Sequence, residues 1–120
     1  MPINVLIVSE DTSVAARIAE LILSDTYAVT ACAPGALPAN QPDLFVIALP
    51  NLQSPEEQVI ESLRSDDATA ALPIVIVSKL PMIALQSVPY ASDWTIGIVE
   101  EPVQRQVLLD TMRFLLNPDS

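Results

Sequence analysis

The side chains able to do chemistry in this chain gather in three short clusters, each directly behind an apolar run. They are Ser9-Glu10-Asp11, Ser78-Lys79 and Glu100-Glu101. Together they offer carboxylate, hydroxyl and lysine groups and little else. The chain has no histidine, which removes the commonest general base and a principal metal ligand. With Cys32 as the one cysteine, Ser-His-Asp, Cys-His and the usual zinc arrangements are excluded too. Two glycines are too few for a Gly-rich phosphate cradle. These absences predict a protein that is not an enzyme.

Composition narrows the class further. Fifteen acidic residues against five basic ones give a net charge of −10, a surface that repels nucleic-acid backbone and anionic lipid. Neither nucleic acid nor a membrane is therefore expected as a partner. No apolar run approaches the roughly 20 residues of a membrane helix. Met1-Pro2-Ile3-Asn4 carries no basic segment ahead of the first apolar stretch, so no secretory signal is expected. A lone cysteine cannot form an intrachain disulfide, which fits a reducing cytoplasm, and Cys32 reads as a buried strand thiol. A length of 120 residues suits one domain, residues 1–120, with one sizeable core.

The elements that must position the polar clusters follow from the apolar pattern. Ile3 to Val8 is a buried strand, rich in β-branched residues. Behind it Val14, Ile18, Leu21 and Ile22 share one face of a helix reaching about Ser24. Tyr27 to Cys32 and Leu44 to Leu49 are two further strands, separated by a stretch whose Pro34, Gly35 and Pro38 preclude a long helix. Ser54-Pro55-Glu56-Glu57 is the sharpest local signal: Ser54 caps, Pro55 fits the first helical position, and Glu57 closes a capping box. That helix turns Val59, Ile60 and Leu63 inward and fades near Ser65. A fourth strand runs from Pro73 to Val77 and a fifth from Thr95 to Val99. Leu80 to Ser92 is open between helix and loop, because Pro81 and Pro89 confine any helix to about two turns. The last helix follows Pro102 and ends near Leu116, with Val103, Val107, Leu108, Met112 and Leu115 facing the core.

Strands alternating with helical segments predict a single-domain α/β fold, a five-stranded parallel sheet with helices on both faces. In such sheets the functional crevice lies beyond the carboxyl ends of the strands. All three polar clusters fall there, together with Ala48-Leu49-Pro50.

Over nearly its full length the chain resembles the receiver domain of bacterial response regulators. Val5-Leu6-Ile7-Val8-Ser9-Glu10-Asp11 is similar to the family's first strand and acidic pair. Pro42-Asp43-Leu44-Phe45-Val46-Ile47-Ala48-Leu49-Pro50 is similar to its third strand, which carries the phospho-accepting aspartate. Ser54 through Arg64 and Leu72-Pro73-Ile74-Val75-Ile76-Val77-Ser78 match the third helix and fourth strand. Ile98-Val99-Glu100-Glu101-Pro102-Val103 resembles the fifth strand and its Lys-Pro turn. The resemblance implies a flavodoxin-like receiver fold with the second helix short or missing, and a place in two-component or phosphorelay signalling.

The same alignment implies lost chemistry. Ala48 stands at the acceptor position, where an acyl phosphate needs a carboxylate. Glu101 replaces the lysine that neutralises phosphate, Ser9 replaces one acid of the pair, and Ile98 replaces a rotating aromatic. Ser78 matches the family's switch hydroxyl and Glu10 retains one acid. The implied vestigial acceptor pocket is therefore Ser9, Glu10, Ala48, Ser78, Lys79 and Glu101, a pseudo-receiver. Ser9-Glu10-Asp11 serves either as a remnant magnesium site or as a cap on the first helix, and the cap needs fewer assumptions. No cofactor or metal is expected, with Glu10 and Glu101 the residues that a divalent cation such as magnesium would use. Lys79 and Glu101 are expected to pair across the vacated pocket. Ser78 reads as a structural hydroxyl and not as a kinase substrate, and Asp43 starts its strand far from the crevice.

Two functions follow from this. The first is a phosphorylation-independent signalling or adaptor domain. It would bind a protein partner, or a second copy as a homodimer, through the face that the family builds from its fourth helix, fifth strand and fifth helix. Tyr90, Trp94, Ile98 and Arg105 mark that face here, and an output domain could follow in a larger chain. The alternative is a small-molecule or divalent-metal sensor that uses the vacated crevice.

Overall fold

The computed structural model describes residues 3–22, 24–36, 42–49, 54–67, 69–70, 72–80, 96–101 and 103–116. In chain order the elements are β1 (Ile3–Val8), α1 (Thr12–Ile22), β2 (Tyr27–Cys32), β3 (Leu44–Ala48), α2 (Pro55–Ser65), β4 (Ile74–Ser78), β5 (Ile96–Glu100) and α3 (Arg105–Leu116). The five strands form one sheet in the order β2-β1-β3-β4-β5, parallel throughout. This is the α/β architecture expected from the alternating pattern.

Strand composition explains the layering. Parallel strands joined by helical crossovers are covered on both faces, so each can be apolar on both sides. All five residues of β3 and of β4 are buried. Successive side chains then serve two cores. Val5, Ile7, Leu44, Val46, Val75 and Val77 meet Ala15, Ile18 and Ile22 of α1 and Leu108 and Met112 of α3. On the opposite face Leu6, Val8, Phe45, Ile47, Ile74 and Ile76 meet Val59, Ile60 and Leu63 of α2. A fully buried Ile or Leu contributes roughly 1.5–3 kcal/mol, so these two layers carry most of the fold's stability.

Local polar signals set the helix ends. Ser54 Oγ accepts the Glu57 N–H at 3.4 Å, with Pro55 opening α2. Beyond the helix, the Thr69 hydroxyl donates to the Leu63 carbonyl at 2.7 Å and closes the exit. Asp11 caps α1, accepting the N–H groups of Ser13 at 2.9 Å and Val14 at 3.3 Å.

Two expectations are modified. Val107 is 47% exposed, whereas Leu108 and Met112 are fully buried. One residue earlier on a helix is a rotation of roughly 100°, which carries Val107 off the apolar stripe. Cys32 is half-buried and not fully enclosed, because β2 is an edge strand with β1 as its one neighbour. Partial burial still pushes its thiol pKa above the usual value. Between β2 and β3 the described residues form a turn, in which Ala36 N–H donates to Ala33 O at 3.0 Å, and no helix. Residues 37–41, and residues 81–95 with Tyr90 and Trp94, lie outside the described set, so the choice of helix or loop before β5 does too.

Gly97 in β5 marks a close approach of α3 to the sheet. A Cβ there would sit 2.6 Å from Thr111 Cγ2 and 3.3 Å from Leu115 Cδ1. Thr111 is β-branched and stiff, so relief requires the helix to move. Gly97→Val is expected to destabilise the fold by about 1–3 kcal/mol in urea unfolding. An unchanged midpoint would show that α3 does not pack as described.

Candidate functional site

Parallel strands bring their carboxyl ends to one rim, and there the polar clusters converge. A cavity of about 460 Å³ opens among Ser9, Glu10, Asp11 and Val14, the strand-end residues Ala48 and Leu49, Glu56 of α2, and Val77, Ser78, Lys79 and Glu101. Each residue assigned by sequence to the acceptor pocket lines this cavity. The structure thus brings Ser9, Glu10, Ala48, Ser78, Lys79 and Glu101 together.

Ala48 ends β3, its methyl group packed with the α1/α3 core layer and almost wholly buried. A methyl group offers neither a nucleophile nor a proton acceptor. Around it the hydroxyls are engaged in local structure. Ser78 Oγ donates to the Leu49 carbonyl at 2.7 Å and accepts the Leu80 N–H at 3.1 Å. This bridge pins the end of β4 to the exit of β3. Ser9 Oγ accepts the Asp11 N–H at 3.1 Å and so shapes the turn into α1. The cap reading of Ser9-Glu10-Asp11 describes these bonds.

Glu101 dominates the electrostatics of the far wall. Its N–H donates to Ser78 O at 2.8 Å, extending the β4–β5 ladder by one rung and fixing its side chain beside Lys79. Lys79 Nζ lies 3.9 Å from Glu101 Oε2, at the outer limit of an ion pair. A second cation is closer: Arg17 Nη2 of α1 lies 3.2 Å from Glu101 Oε1. The carboxylate, only 8% exposed, is therefore held from two sides by cations that are themselves largely in solvent. Each pair with so exposed a partner contributes no more than about 1 kcal/mol. Their effect is to neutralise and orient Glu101.

Sequence reasoning missed two members of the site, Arg17 and Glu56. Arg17 follows Val14 by three residues and precedes Leu21 by four, so it shares the flank of α1 that the two partly buried apolar residues occupy. Glu56 precedes Val59 by three residues and Ile60 by four, which places it on the buried face of α2. It is 1% exposed, and its Oε2 accepts the Glu10 N–H at 3.2 Å. Its Oε1 is buried and has no hydrogen-bond partner among the described residues.

Among the described residues no three of His, Cys, Asp and Glu converge on a common point. Glu101, one of the two carboxylates considered for a divalent cation, is engaged by Arg17 and Lys79 instead. Among the contact-face residues, Arg105 Nε donates to the Leu21 carbonyl at 3.0 Å. That contact turns Arg105 toward α1, on the flank of α3 opposite β5. Ile98 lies half-buried in β5 and Asp43, far from the cavity, accepts the Asn4 N–H at 2.9 Å.

Comparison with solved structures places this arrangement in a class. The fold is that of response-regulator receiver domains. The signal receiver domain of a signal transduction histidine kinase from Syntrophus aciditrophicus aligns over 98% of this chain and 92% of its own, at 17% identity and a TM-score of 0.79. A CheY-like receiver domain protein from Methanospirillum hungatei JF-1 aligns over 98% and 96%, at 15% identity and a TM-score of 0.77. A response regulator receiver protein from Sinorhizobium medicae WSM419 aligns over 97% and 95%, at 21% identity and a TM-score of 0.72. Neither a protein-family model nor a curated protein sequence matches the chain. Among the described residues no helix is long and apolar enough to cross a membrane.

Removing the Ser78 hydroxyl isolates its structural role. Ser78→Ala leaves the Leu80 N–H without its acceptor and the Leu49 carbonyl with one donor fewer. A loss of about 1–3 kcal/mol is expected in chemical denaturation. A neutral result would mean that water replaces both bonds.

Proposed function

We propose that residues 1–120 form one receiver-like domain that signals or scaffolds through protein contacts, independently of phosphorylation. The observation that carries this reading is the placement of Ala48 at the end of β3, lining the rim cavity with a methyl group that is itself no nucleophile. Two further features support it. The Glu101 carboxylate stands in the cavity wall where a transferred phosphoryl group would need a cation, and its own charge is met by Arg17 and Lys79. The Glu56 carboxylate, buried at the opposite wall, adds a second charge hostile to an anion.

The contact surface in this reading is the β5 edge together with the adjoining flank of α3. β5 is an outer strand of the sheet, and Ile96, Gly97 and Ile98 are only half-buried. Thr111 of α3 lies against Gly97. Val107, four residues before Thr111, and Phe114, three residues after it, stand on the same flank at 47% and 64% exposure. Exposed large apolar side chains beside a sheet edge suit a protein partner or a second copy of the chain. Arg105, on the other flank, is left out of this surface.

Two measurements test the proposal. Incubation with acetyl phosphate and magnesium should leave the intact mass unchanged, and beryllofluoride should leave the amide spectrum unchanged. A phosphoryl adduct on the chain would overturn the reading. Phe114→Glu should weaken self-association or partner capture by at least about tenfold in sedimentation, with the fold retained. Unaltered association would remove the β5–α3 surface from the proposal.

A further inference from the structure

We infer that the rim cavity is a binding site for a compact organic cation, a primary ammonium or guanidinium group held by the buried carboxylate of Glu56. This inference stands apart from the contact surface proposed above and does not require it.

The starting observation is an unmet acceptor. Glu56 is 1% exposed, one oxygen takes the Glu10 N–H at 3.2 Å, and the other has no partner among the described residues. A carboxylate oxygen withdrawn from water without a donor is strongly unfavourable. The first turn of α2 eases the charge through its N-terminal dipole, but its N–H groups do not reach Oε1. The nearby cations do not supply the missing donor, because Arg17 and Lys79 are both directed to Glu101.

The walls select the sign and the chemistry of the occupant. With Glu101 met by Arg17 and Lys79, Glu10, Asp11 and Glu56 remain as acidic lining of the cavity, so an anion is disfavoured and a cation favoured. A hard divalent ion calls for several converging oxygens, and the described carboxylates do not converge on one point. A nitrogen cation needs less: one carboxylate oxygen accepts a charge-assisted N–H bond, and the Ser9 and Ser78 edges and the apolar Val14 and Leu49 can flank its stem. The volume of about 460 Å³ is within the range of small-ligand sites and far above that of a bare ion. The terminal torsion of a glutamate is soft, so a modest rotation presents the free oxygen to a group entering past Glu10.

The same chemistry is supplied by a free polyamine-like molecule or by a lysine or arginine side chain of a protein. Titration of the whole chain with agmatine, and separately with a blocked Gly-Arg-Gly peptide, separates the sources through amide chemical shifts. Saturable shifts centred on Glu10, Ala48, Leu49 and Ser78 are expected, and they should weaken at least about tenfold in Glu56→Gln. Tighter agmatine binding assigns a free amine, and tighter peptide binding assigns a protein side chain. The inference is overturned if neither probe shifts these amides by about 10 mM. It is equally overturned if Glu56→Gln binds unchanged, or if magnesium chloride reproduces the shifts where the organic cations do not. Should Glu56→Gln fail to fold, the wild-type map decides: shifts scattered over the acidic surface also overturn the site.

Discussion

Every feature of this molecule depends on the parallel pairing of β3 with β1 on one side and β4 on the other. Parallel strands cannot be joined by tight hairpins, so each connection must cross a face of the sheet, and helices cover both faces. That single constraint explains why β3 is apolar at every position and β4 at every position before Ser78. It also explains why functional groups have one place to go. Side chains of β3 and of β4 before Ser78 are committed to the two core layers, and the polar groups of the cavity come where the strands leave the sheet.

At that rim the balance of charge departs from what a phosphate-handling pocket requires. Such a pocket collects cations around a reactive carboxylate. Here β3 ends on the methyl group of Ala48, and two carboxylates line the same cavity, Glu101 between its cations and Glu56 beneath the Glu10 amide. The strand ends are tied by neutral bonds, Ser78 to Leu49 and Glu101 N–H to Ser78 O. Under the proposed reading the scaffold is kept for its shape, and the rim is held by contacts that need no added group.

Much of this was legible in the sequence because its signals are local and mutually consistent. Strand-length apolar runs, the Ser54-Pro55 helix start and the Asp11 cap each point to the element that forms. The cavity residues followed from topology, since strand ends on one rim must be neighbours. What escaped were side chains whose fate depends on packing between elements. Glu56 reads as an ordinary acid of a first helical turn unless its spacing to Val59 and Ile60 is weighed above its charge. Arg17 lies on a helix flank whose neighbour, Glu101, is distant in sequence and brought close by the docking of β5 and α3. Val107 is apolar yet lies off the buried stripe, and the partner that Arg105 finds, the Leu21 carbonyl, carries no side-chain signature.

The position of β5 has a consequence for how the chain matures on the ribosome. Of the five described strands β5 is made last, yet it closes the outer edge of β4, whose five residues are all buried in the finished fold. Until β5 emerges, β4 offers a bare line of amides and carbonyls, and the adjacent apolar layer lacks Leu108 and Met112 of α3. A nascent chain halted at that point would present a template for sticking to its neighbours. The β5–α3 unit therefore acts as the closing flap of the sheet, and the interval before its arrival is when a chaperone has most to protect.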